Sequence, residues 1–545
     1  MYYKVEAYTA SERAGAILYA HNITPTYVSD NPVLNSQHVV FEAAKAYGYG
    51  LPYHAALAGV TSAPAELLGL GDRVGKIKPG FDADIVVWDS DPLSAGATPV
   101  QVWIDGAPQF KDPYQLKKPK AEPIVPDAKL RDELQMSTVS GSVVFTGITY
   151  AHTEAARDSS ASHLKDTLSA VFDNGKLTCL GSCSREIDLA KSANTPTVHL
   201  EEGHLTPPFT AFGSTLGLTE IDAERDTHDG SPPNEGVARA TDGMFFGGKQ
   251  LAHAYAHGVT RAISAPSEFG FEAKGVSVGF HTGSKHSLDG DTIWADEVGL
   301  HYVLTLGAKG HGMGSISAAI GALRGKLLDA LSDNSTVSDV PTKNSYAEAS
   351  YLKRVVNGSL PLVLSVHSAD TITSIIRMKS AVESAIAKST SKDTKLRIVI
   401  IGAAEAHLVA NELAEANISV VLAPLQPHQG SWDQKRCLTG APLTNGTTIN
   451  YLLDAGVLVG ISVEEVWETR DLGLLAGIAY ANSEGRLTLD QGFDLVGKNF
   501  YKALGIKEPK VKGNDEWVVW EGNPLAIGGR ARAIGSADGR MNIWQ

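Results

Sequence analysis

The stretch "LGLGDRVGKIKPGFDADIVVWDSDPL" at residues 68–93 leads from a short helical segment into a run typical of β-structure. Its Gly, Pro and Asp residues mark turns, and the apolar run after them predicts a strand. The last eight residues, "VVWDSDPL" at 86–93, recur as "VVWEGNPL" at 518–525. A wider order recurs with them: a β-prone run ending in an acid, then helices, "LG" and "VVW". A repeat of this size indicates a duplicated domain rather than a solenoid.

Length and composition restrict the class of protein. The chain has 545 residues, of which 43% are hydrophobic and 20% charged, so we expect more than one ordinary core. The net charge of −14 argues against nonspecific nucleic-acid binding. No run of apolar residues is long enough to predict a membrane span, and the N-terminus lacks the apolar core of a signal peptide. The sequence therefore predicts a cytoplasmic protein that binds neither nucleic acid nor membranes.

The three cysteines, Cys179, Cys183 and Cys437, are too few for a disulfide framework. The first two lie four apart, but no second pair completes a zinc site. We expect all three to be ordinary small or half-buried residues.

Continuous apolar runs alternate with helical segments over the long central region. Examples are "LPLVLSVH" at 360–367 and "LRIVIIGA" at 396–403. Such alternation predicts an α/β fold of parallel strands with both sheet faces covered, and its repetition favours a (β/α)8 TIM-like barrel over an open sheet. The predicted units are a partial repeat with a last barrel strand, helices and closing strands (1–112), a linker (113–137), a composite β-sandwich (138–205 and 511–545) and the barrel (206–510).

The stretch 68–93 resembles the C-terminal signature of the amidohydrolase superfamily, in its imidazolonepropionase-like branch. The segments "VFDNGKLTCLG" at 171–181 and "TVHLEEGHLTPPFTAFG" at 197–213 are similar to the opening strands of such a protein. By this resemblance 138–545 corresponds to an entire amidohydrolase, and 1–112 to the end of another. Together they resemble the C-terminal part of a fungal-type tandem amidohydrolase, which leaves open whether Met1 is the biological start.

The resemblance implies metal-assisted hydrolysis of carbon–nitrogen bonds outside peptides, in a small-molecule substrate. The family uses a divalent metal, most often zinc, held at the barrel mouth by histidines and a carboxylate. Here the pattern is altered. Gly213 and Thr215 stand where the first two histidines belong, Ala211 stands at the Asp that precedes them, and Gly402 stands at the sixth-strand ligand.

Four residues remain as candidates for the site. His367 ends the fifth strand and is the expected metal ligand, although a hydrogen-bonded histidine at a strand end would look the same. His407, a turn beyond Gly402, would need a displaced geometry to bind the same metal. Glu464 takes the place of the eighth-strand Asp as catalytic base or ligand, or else it only favours a helix start. Asp30 matches that Asp in the first unit, after a strand predicted at 26–28, but the chain lacks its histidine partners.

Two hypotheses follow. The first is a metal-dependent hydrolase with a reduced site of His367, His407 and Glu464, and the second is a catalytically degenerate barrel with a binding or structural role. His253 and His257 add a pair at metal-ligand spacing on one helix face, without the glutamate of a metalloprotease. The apolar faces of 1–112 predict packing against 138–545 or against a second copy in a homo-oligomer.

Overall fold

The structure is a computed structural model that describes residues 3–31, 34–118, 124, 127–152, 168–229, 237–266, 273–306, 309, 314–332, 342–390, 394–511, 515–535, 539 and 541–545. The predicted α/β fold is confirmed, since helices and strands alternate through the second unit. Within these ranges no helix combines the length and the apolar character needed to cross a bilayer.

The first unit is a small helical layer followed by a three-stranded sheet. Its elements are α1 (Ala14–Ala20), α2 (Val39–Gly48), α3 (Tyr53–Ala58), α4 (Ser62–Leu67), β1 (Ile85–Trp88), β2 (Pro99–Ile104) and β3 (Ala107–Pro108). The strands pair antiparallel in the order β1-β2-β3, and Ala43, Ala44, Leu51, Ala56 and Leu93 form the centre of the core.

The strand predicted at 26–28 is absent, which corrects the sequence analysis. The segment is extended, and the amide of Tyr27 donates to the carbonyl of Gly59 at 3.2 Å, but none of the described strands pairs with it. A β-prone run becomes a strand only where a ladder partner lies beside it. Asp30 follows in an exposed turn with φ +50°.

A second sheet of eight strands contains segments far apart in sequence. Its order is β4-β21-β20-β19-β8-β5-β6-β7. The strands are β4 (Met136–Val139), β5 (Ser142–Ala151), β6 (Leu168–Asp173), β7 (Lys176–Gly181), β8 (Thr197–Thr206), β19 (Val518–Glu521), β20 (Arg530–Gly535) and β21 (Met541–Trp544). Both segments of the predicted composite module contribute strands. The domain boundaries and the description of this module as a sandwich stay predictions.

The repeated octamer adopts the same local structure twice. In β1 and in β19 the pairing register shifts between the second valine and the tryptophan. In the turn that follows, the Asp91 carboxylate accepts from the amide of Leu93, as the Asn523 side chain accepts from that of Leu525, both at 2.9 Å. The strands differ in their neighbours, because β19 lies between β20 and β8 whereas β1 pairs with β2 alone in the part of the chain described. The wider repeat stays a prediction.

The central region forms two further sheets. One has the order β13-β12-β10-β9, and the other has the order β11-β14-β15-β16-β17-β18. The strands are β9 (Phe209–Phe212), β10 (Val259–Ser264), β11 (Ala273–Val276), β12 (Val278–His281), β13 (Ile293–Ala295), β14 (Leu300–Val303), β15 (Leu362–Val366), β16 (Ile398–Gly402), β17 (Ser419–Leu422) and β18 (Val459–Ile461). The strands from β14 to β18 run parallel, as the apolar runs predicted. The described strands do not form one closed ring, and the barrel stays a prediction.

Helices follow most of these strands and cover the parallel sheet. They are α5 (Ser184–Ser192), α6 (Lys249–Ala256), α7 (Ile316–Ser332), α8 (Glu348–Val356), α9 (Ala369–Thr390), α10 (Ala410–Glu415), α11 (Thr448–Asp454), α12 (Leu472–Ala481), α13 (Leu489–Asp494) and α14 (Lys498–Leu504). Buried apolar residues of most of these helices and of the strands form one large core, whereas those of α5 and α14 belong to separate, smaller clusters.

Cys179 and Cys183 form a disulfide that joins β7 to the start of α5, which corrects the expectation that they are ordinary small or half-buried residues. Their Cα atoms lie 6.0 Å apart, within the range that a disulfide spans. Cys437 is free and buried. Disulfides persist mainly in oxidising compartments, so this bond gives no support to the predicted cytoplasmic location, which stays a prediction.

Polar contacts hold the first unit on the second. The Glu12 carboxylate lies 3.1 Å from His253 Nδ1, 3.8 Å from His257 Nε2 and 3.7 Å from an Arg470 guanidinium nitrogen. Burial alone would raise the pKa of Glu12, but the charges of these three partners outweigh it and lower the pKa to about 2. The histidine pair at metal-ligand spacing therefore binds a carboxylate of the first unit.

We expect Glu12→Gln to lower the free energy of unfolding by about 2 kcal/mol at neutral pH, because the variant leaves the largely buried Arg470 guanidinium and the two imidazoles without the carboxylate that they contact. Chemical denaturation measures the change, and limited proteolysis within 1–112 reports on detachment of the first unit. The matched control is Glu6→Gln, an exposed carboxylate of the same unit. Equal stability of the two variants would contradict the role given to Glu12.

Candidate functional site

A cavity of about 600 Å³ lies at the carboxyl ends of the parallel strands β15, β17 and β18. We call it the mouth cavity. Segments that follow these strands form most of its wall, and α2 of the first unit forms the opposite side. Ligands of α/β proteins bind at the carboxyl ends of parallel strands, because the loops there converge. The cavity is therefore the candidate site, and His367 and Glu464 both line it.

His367 comes directly after β15, at the place where the sequence predicted it. Its Nε2 lies 3.4 Å from the side-chain nitrogen of Gln434, and its carbonyl accepts from the amide of Glu405 at 3.0 Å. The ring lies against the backbone of Gly402, where a Cβ atom would be 2.8 Å from His367 Cε1. A histidine at position 402 would therefore have no room beside this ring. Glycine also suits the positive φ of +98° found there.

Gly213, which directly follows β9, also has no room for a larger side chain. It has φ +92°, and a Cβ atom built on it would lie 2.8 Å from Ile401 Cδ1. An apolar side chain thus fills the space next to Gly213. Both positions that the resemblance assigns to family ligands are closed by neighbours rather than left open.

The described residues do not fit the divalent metal that the family resemblance implies. Across the ranges given above, no group of three or more His, Cys, Asp or Glu side chains is arranged to hold a metal ion. The assignment of His367 and His407 as metal ligands and of Glu464 as the catalytic residue therefore stays a prediction. Two of the three line one cavity, and the family resemblance places Gly213, Thr215 and Gly402 at the positions of the remaining histidine ligands.

His407 is not among the residues that line the mouth cavity. It belongs to the short 3-10 helix Ala406–Val409, its Nδ1 lies 3.4 Å from Thr448 Oγ1, and its ring packs on Tyr451. Burial lowers its pKa, although the charge of Glu405 opposes the shift. Asp30 likewise lies outside the cavity, in its exposed turn.

The loops around the cavity are fixed by a buried carboxylate that sequence analysis missed. Glu405 is 1% exposed, and its oxygens accept from the amides of Ala369 and Arg436 at 3.1 and 2.9 Å. The Arg436 guanidinium adds a contact of 2.7 Å. Burial alone would raise the pKa of Glu405, but the hydrogen bonds and the charge of Arg436 outweigh it and lower the pKa. The carboxylate therefore stays ionised and connects the segments that follow β15 and β16.

Two further glutamates after β18 have strongly perturbed pKa values. Burial, followed by the charges of Asp222, Glu464 and Glu468, raises the pKa of Glu465 to about 8. Burial also raises the pKa of Glu468 to about 7, against the opposing charge of Lys45. Carboxyl groups with such values in a cleft are candidates for proton transfer at neutral pH. The pair "EE" at 464–465 was visible in the sequence, but nothing there revealed which of the two would be buried.

The first unit contributes side chains that no motif marked as functional. Lys45 Nζ lies 2.7 Å from Glu42 and 3.3 Å from Asp471, which joins α2 to the start of α12. Burial, together with the charge of His428, lowers the pKa of His38 to about 4, so this cavity-lining imidazole is neutral at physiological pH. The mouth cavity is thus shared by the two units.

Comparisons with known proteins agree with this fold. Residues 47–110 match the sequence profile described as "Amidohydrolase family". The chain is 46% identical over 538 residues to "Amidohydrolase tasK" of Hapsidospora irregularis; the match covers 93% of this chain and 54% of that protein, so the chain spans about half the length of its relative. An amidohydrolase from Thermotoga maritima MSB8 superposes with a TM-score of 0.55 at 20% identity, over 73% of this chain and 98% of that one, and it shows the fold alone. The chain belongs to the amidohydrolase superfamily.

Proposed function

We propose that the protein is a hydrolase that cleaves a non-peptide carbon–nitrogen bond of a small molecule bound in the mouth cavity. The observation that carries the proposal is the position of His367, Glu464 and Glu465 around one cavity at the carboxyl ends of parallel strands. The 46% identity to a protein named as an amidohydrolase supports the reaction class. The described residues provide no ligand set for a metal, so the steps below use the chain's own side chains.

Two neighbouring carboxyl groups in different states of protonation can divide the proton transfers. The Glu464 carboxylate takes a proton from water as the water oxygen bonds to the carbonyl carbon. The neutral Glu465 carboxyl, with its pKa of about 8, gives its proton to the leaving nitrogen as the carbon–nitrogen bond breaks. The His367 imidazole orients the substrate by hydrogen bonding. Exchange of one proton through solvent restores both carboxyl groups.

The proposal is tested by hydrolysis of a panel of small amides and cyclic amides across pH. Activity should fall as pH rises through about 8, because Glu465 then loses the proton it must donate. Glu465→Gln should lower kcat by about 100-fold or more and remove this pH limb. The matched control is Glu412→Gln, an exposed carboxylate on α10 outside the cavity, which should retain wild-type kcat. Unchanged activity and pH profile in Glu465→Gln would contradict the assigned role.

The second candidate, a catalytically degenerate barrel with a binding or structural role, is favoured by the closed ligand positions at Gly213 and Gly402. It predicts ligand binding without turnover of any amide in the panel. Elemental analysis adds a second readout: less than roughly a tenth of an equivalent of zinc, manganese or iron after purification without chelator would oppose the usual metal route. Turnover in that metal-poor protein would instead support the carboxyl mechanism.

A further inference from the structure

The wall of the mouth cavity is strongly acidic. Six carboxyl side chains line it: Glu42, Asp433, Glu464, Glu465, Glu468 and Asp471. Lys45 is the single lysine or arginine among the described residues of this wall. The cavity therefore contains many more potential negative charges than fixed positive ones.

Three of these six carboxylates have partners within the protein. Lys45 binds Glu42 and Asp471, as described above. Asp433 accepts from the amide of Leu306 at 2.9 Å and from the Ser431 hydroxyl at 2.6 Å.

The three glutamates after β18 are different. Over the described ranges, Glu464, Glu465 and Glu468 form no ion pair with a lysine, an arginine or a histidine. Burial and the charges of neighbouring carboxylates raise the pKa of both Glu465 and Glu468. A cation placed between them would receive charge-assisted hydrogen bonds that the protein itself does not supply.

A separate observation at the same wall also indicates a missing partner. Ser462 directly follows β18, lines the cavity and is 1% exposed. Its hydroxyl has no hydrogen-bond partner among the residues that the structure describes. A buried hydroxyl without a hydrogen-bond partner destabilises the protein, and a polar group of a bound ligand would remove that cost.

Aromatic rings complete the wall. Phe41 of α2 and Trp467 line the cavity, and Tyr3 packs edge-on against Trp467 at 5.6 Å between ring centroids. Such rings accommodate an apolar ligand portion and attract a cation near their faces. The cavity volume of about 600 Å³ falls in the range of small-molecule sites.

We infer that the mouth cavity binds a small molecule with a protonated amine or amidine beside an apolar or aromatic portion, the cation lying against Glu464, Glu465, Glu468 and Ser462. The inference deepens the proposed function, since it rests on the same cavity and names the class of substrate. A neutral molecule of the same shape would leave the negative charge of the carboxyl cluster uncompensated. An anionic molecule would add electrostatic repulsion with these carboxylates.

Isothermal titration calorimetry on the full chain tests the inference with three probes of matched shape at pH 7.5: benzylamine, benzyl alcohol and benzoate. We expect benzylamine to bind at least about 10-fold more tightly than either of the others. The double variant Glu465→Gln/Glu468→Gln should weaken benzylamine binding by at least about 10-fold, while Glu412→Gln leaves it unchanged. Equal or tighter binding of benzoate or benzyl alcohol would overturn the inference.

Ser462→Ala keeps the test decisive if the double variant does not fold, because loss of one hydroxyl should weaken benzylamine binding by about 5-fold. Binding is measured without turnover, so the two proposals fail separately. Tight benzylamine binding without hydrolysis of any amide overturns the proposed function and supports the inference. Hydrolysis of neutral amides by a protein that does not bind benzylamine overturns the inference and leaves the function standing.

Discussion

Glu516→Gln is expected to lower the free energy of unfolding by about 3 kcal/mol, because it leaves a buried guanidinium without its closest anion. Arg261 on β10 is 2% exposed, and its Nε lies 2.5 Å from a Glu516 carboxylate oxygen. Thr260 and His281 contact the other oxygen at 3.3 and 3.4 Å. Burial alone would raise the pKa of Glu516, but the charges of Arg261 and His281 lower it to about 2. The stabilisation is therefore complete above the unfolded-state pKa and is lost as pH falls toward 2.

The chain offers a matched control for this experiment. Glu508 binds the same guanidinium at 2.6 Å, but its side chain is 42% exposed. Glu508→Gln should therefore cost less than about 1 kcal/mol. Urea denaturation at pH 7 and at pH 3 gives both values, and the difference between wild type and Glu516→Gln should shrink at the lower pH. If Glu516→Gln and Glu508→Gln lose the same free energy of unfolding at pH 7, burial does not determine how much each ion pair contributes to stability.

Gly402→Ala is expected to cost about 3 kcal/mol, the sum of a backbone penalty and a steric one. Its φ of +98° is unfavourable for alanine, and the new methyl would meet the His367 ring at 2.8 Å and the carbonyl of Val366 at 3.1 Å. Because β15 and β16 are paired, neither contact can relax without moving the strand end that carries His367. Denaturation measures the stability, and a loss of amide hydrolysis would report displacement of the ring that orients the substrate.

Gly456→Ala separates the two contributions. Gly456 has φ +78°, and a Cβ atom there would meet nothing within 4 Å. This variant should lose only about 1 kcal/mol of the free energy of unfolding, the cost of placing alanine at a positive φ. If both alanine variants lose the same stability, the ring of His367 is not what keeps position 402 a glycine.

The local patterns in the sequence predicted which segments form strands and turns more reliably than they predicted which strands lie next to each other. The apolar runs at 360–367 and 396–403 became adjacent parallel strands, and the repeated octamer became the same strand and turn twice. The β-prone run at 26–28 failed because strand formation depends on a partner that the sequence does not specify. Closure of the central sheets depends on many such pairings at once, and the apolar runs alone do not specify them, so the barrel stays a prediction.

One rule of position was enough to place two candidate residues together. His367 and Glu464 line one cavity because each follows a parallel strand, and their roles stay predictions. The histidine spacing at 253 and 257 correctly indicated one helix face, but spacing cannot identify a partner, and the partner is Glu12 from another unit. The contributions of α2 and Glu468 depend on packing between units and on burial. Neither quantity can be obtained from a single sequence.

The strands of the eight-stranded sheet are translated at two widely separated times, because they lie within residues 136–206 and 518–544. The hydrogen bond from Trp520 Nε1 to Thr206 Oγ1 fastens β19 to β8 across 314 positions of sequence. Pairing over such a distance carries a loop-closure cost and slows folding. Until β19 emerges from the ribosome, the edge of β8 and the apolar Leu205 behind it are open to wrong partners. A nascent chain that ends before Val518 lacks β19 and leaves this edge of β8 exposed. We therefore expect such a chain to bind chaperones rather than to fold as a smaller domain.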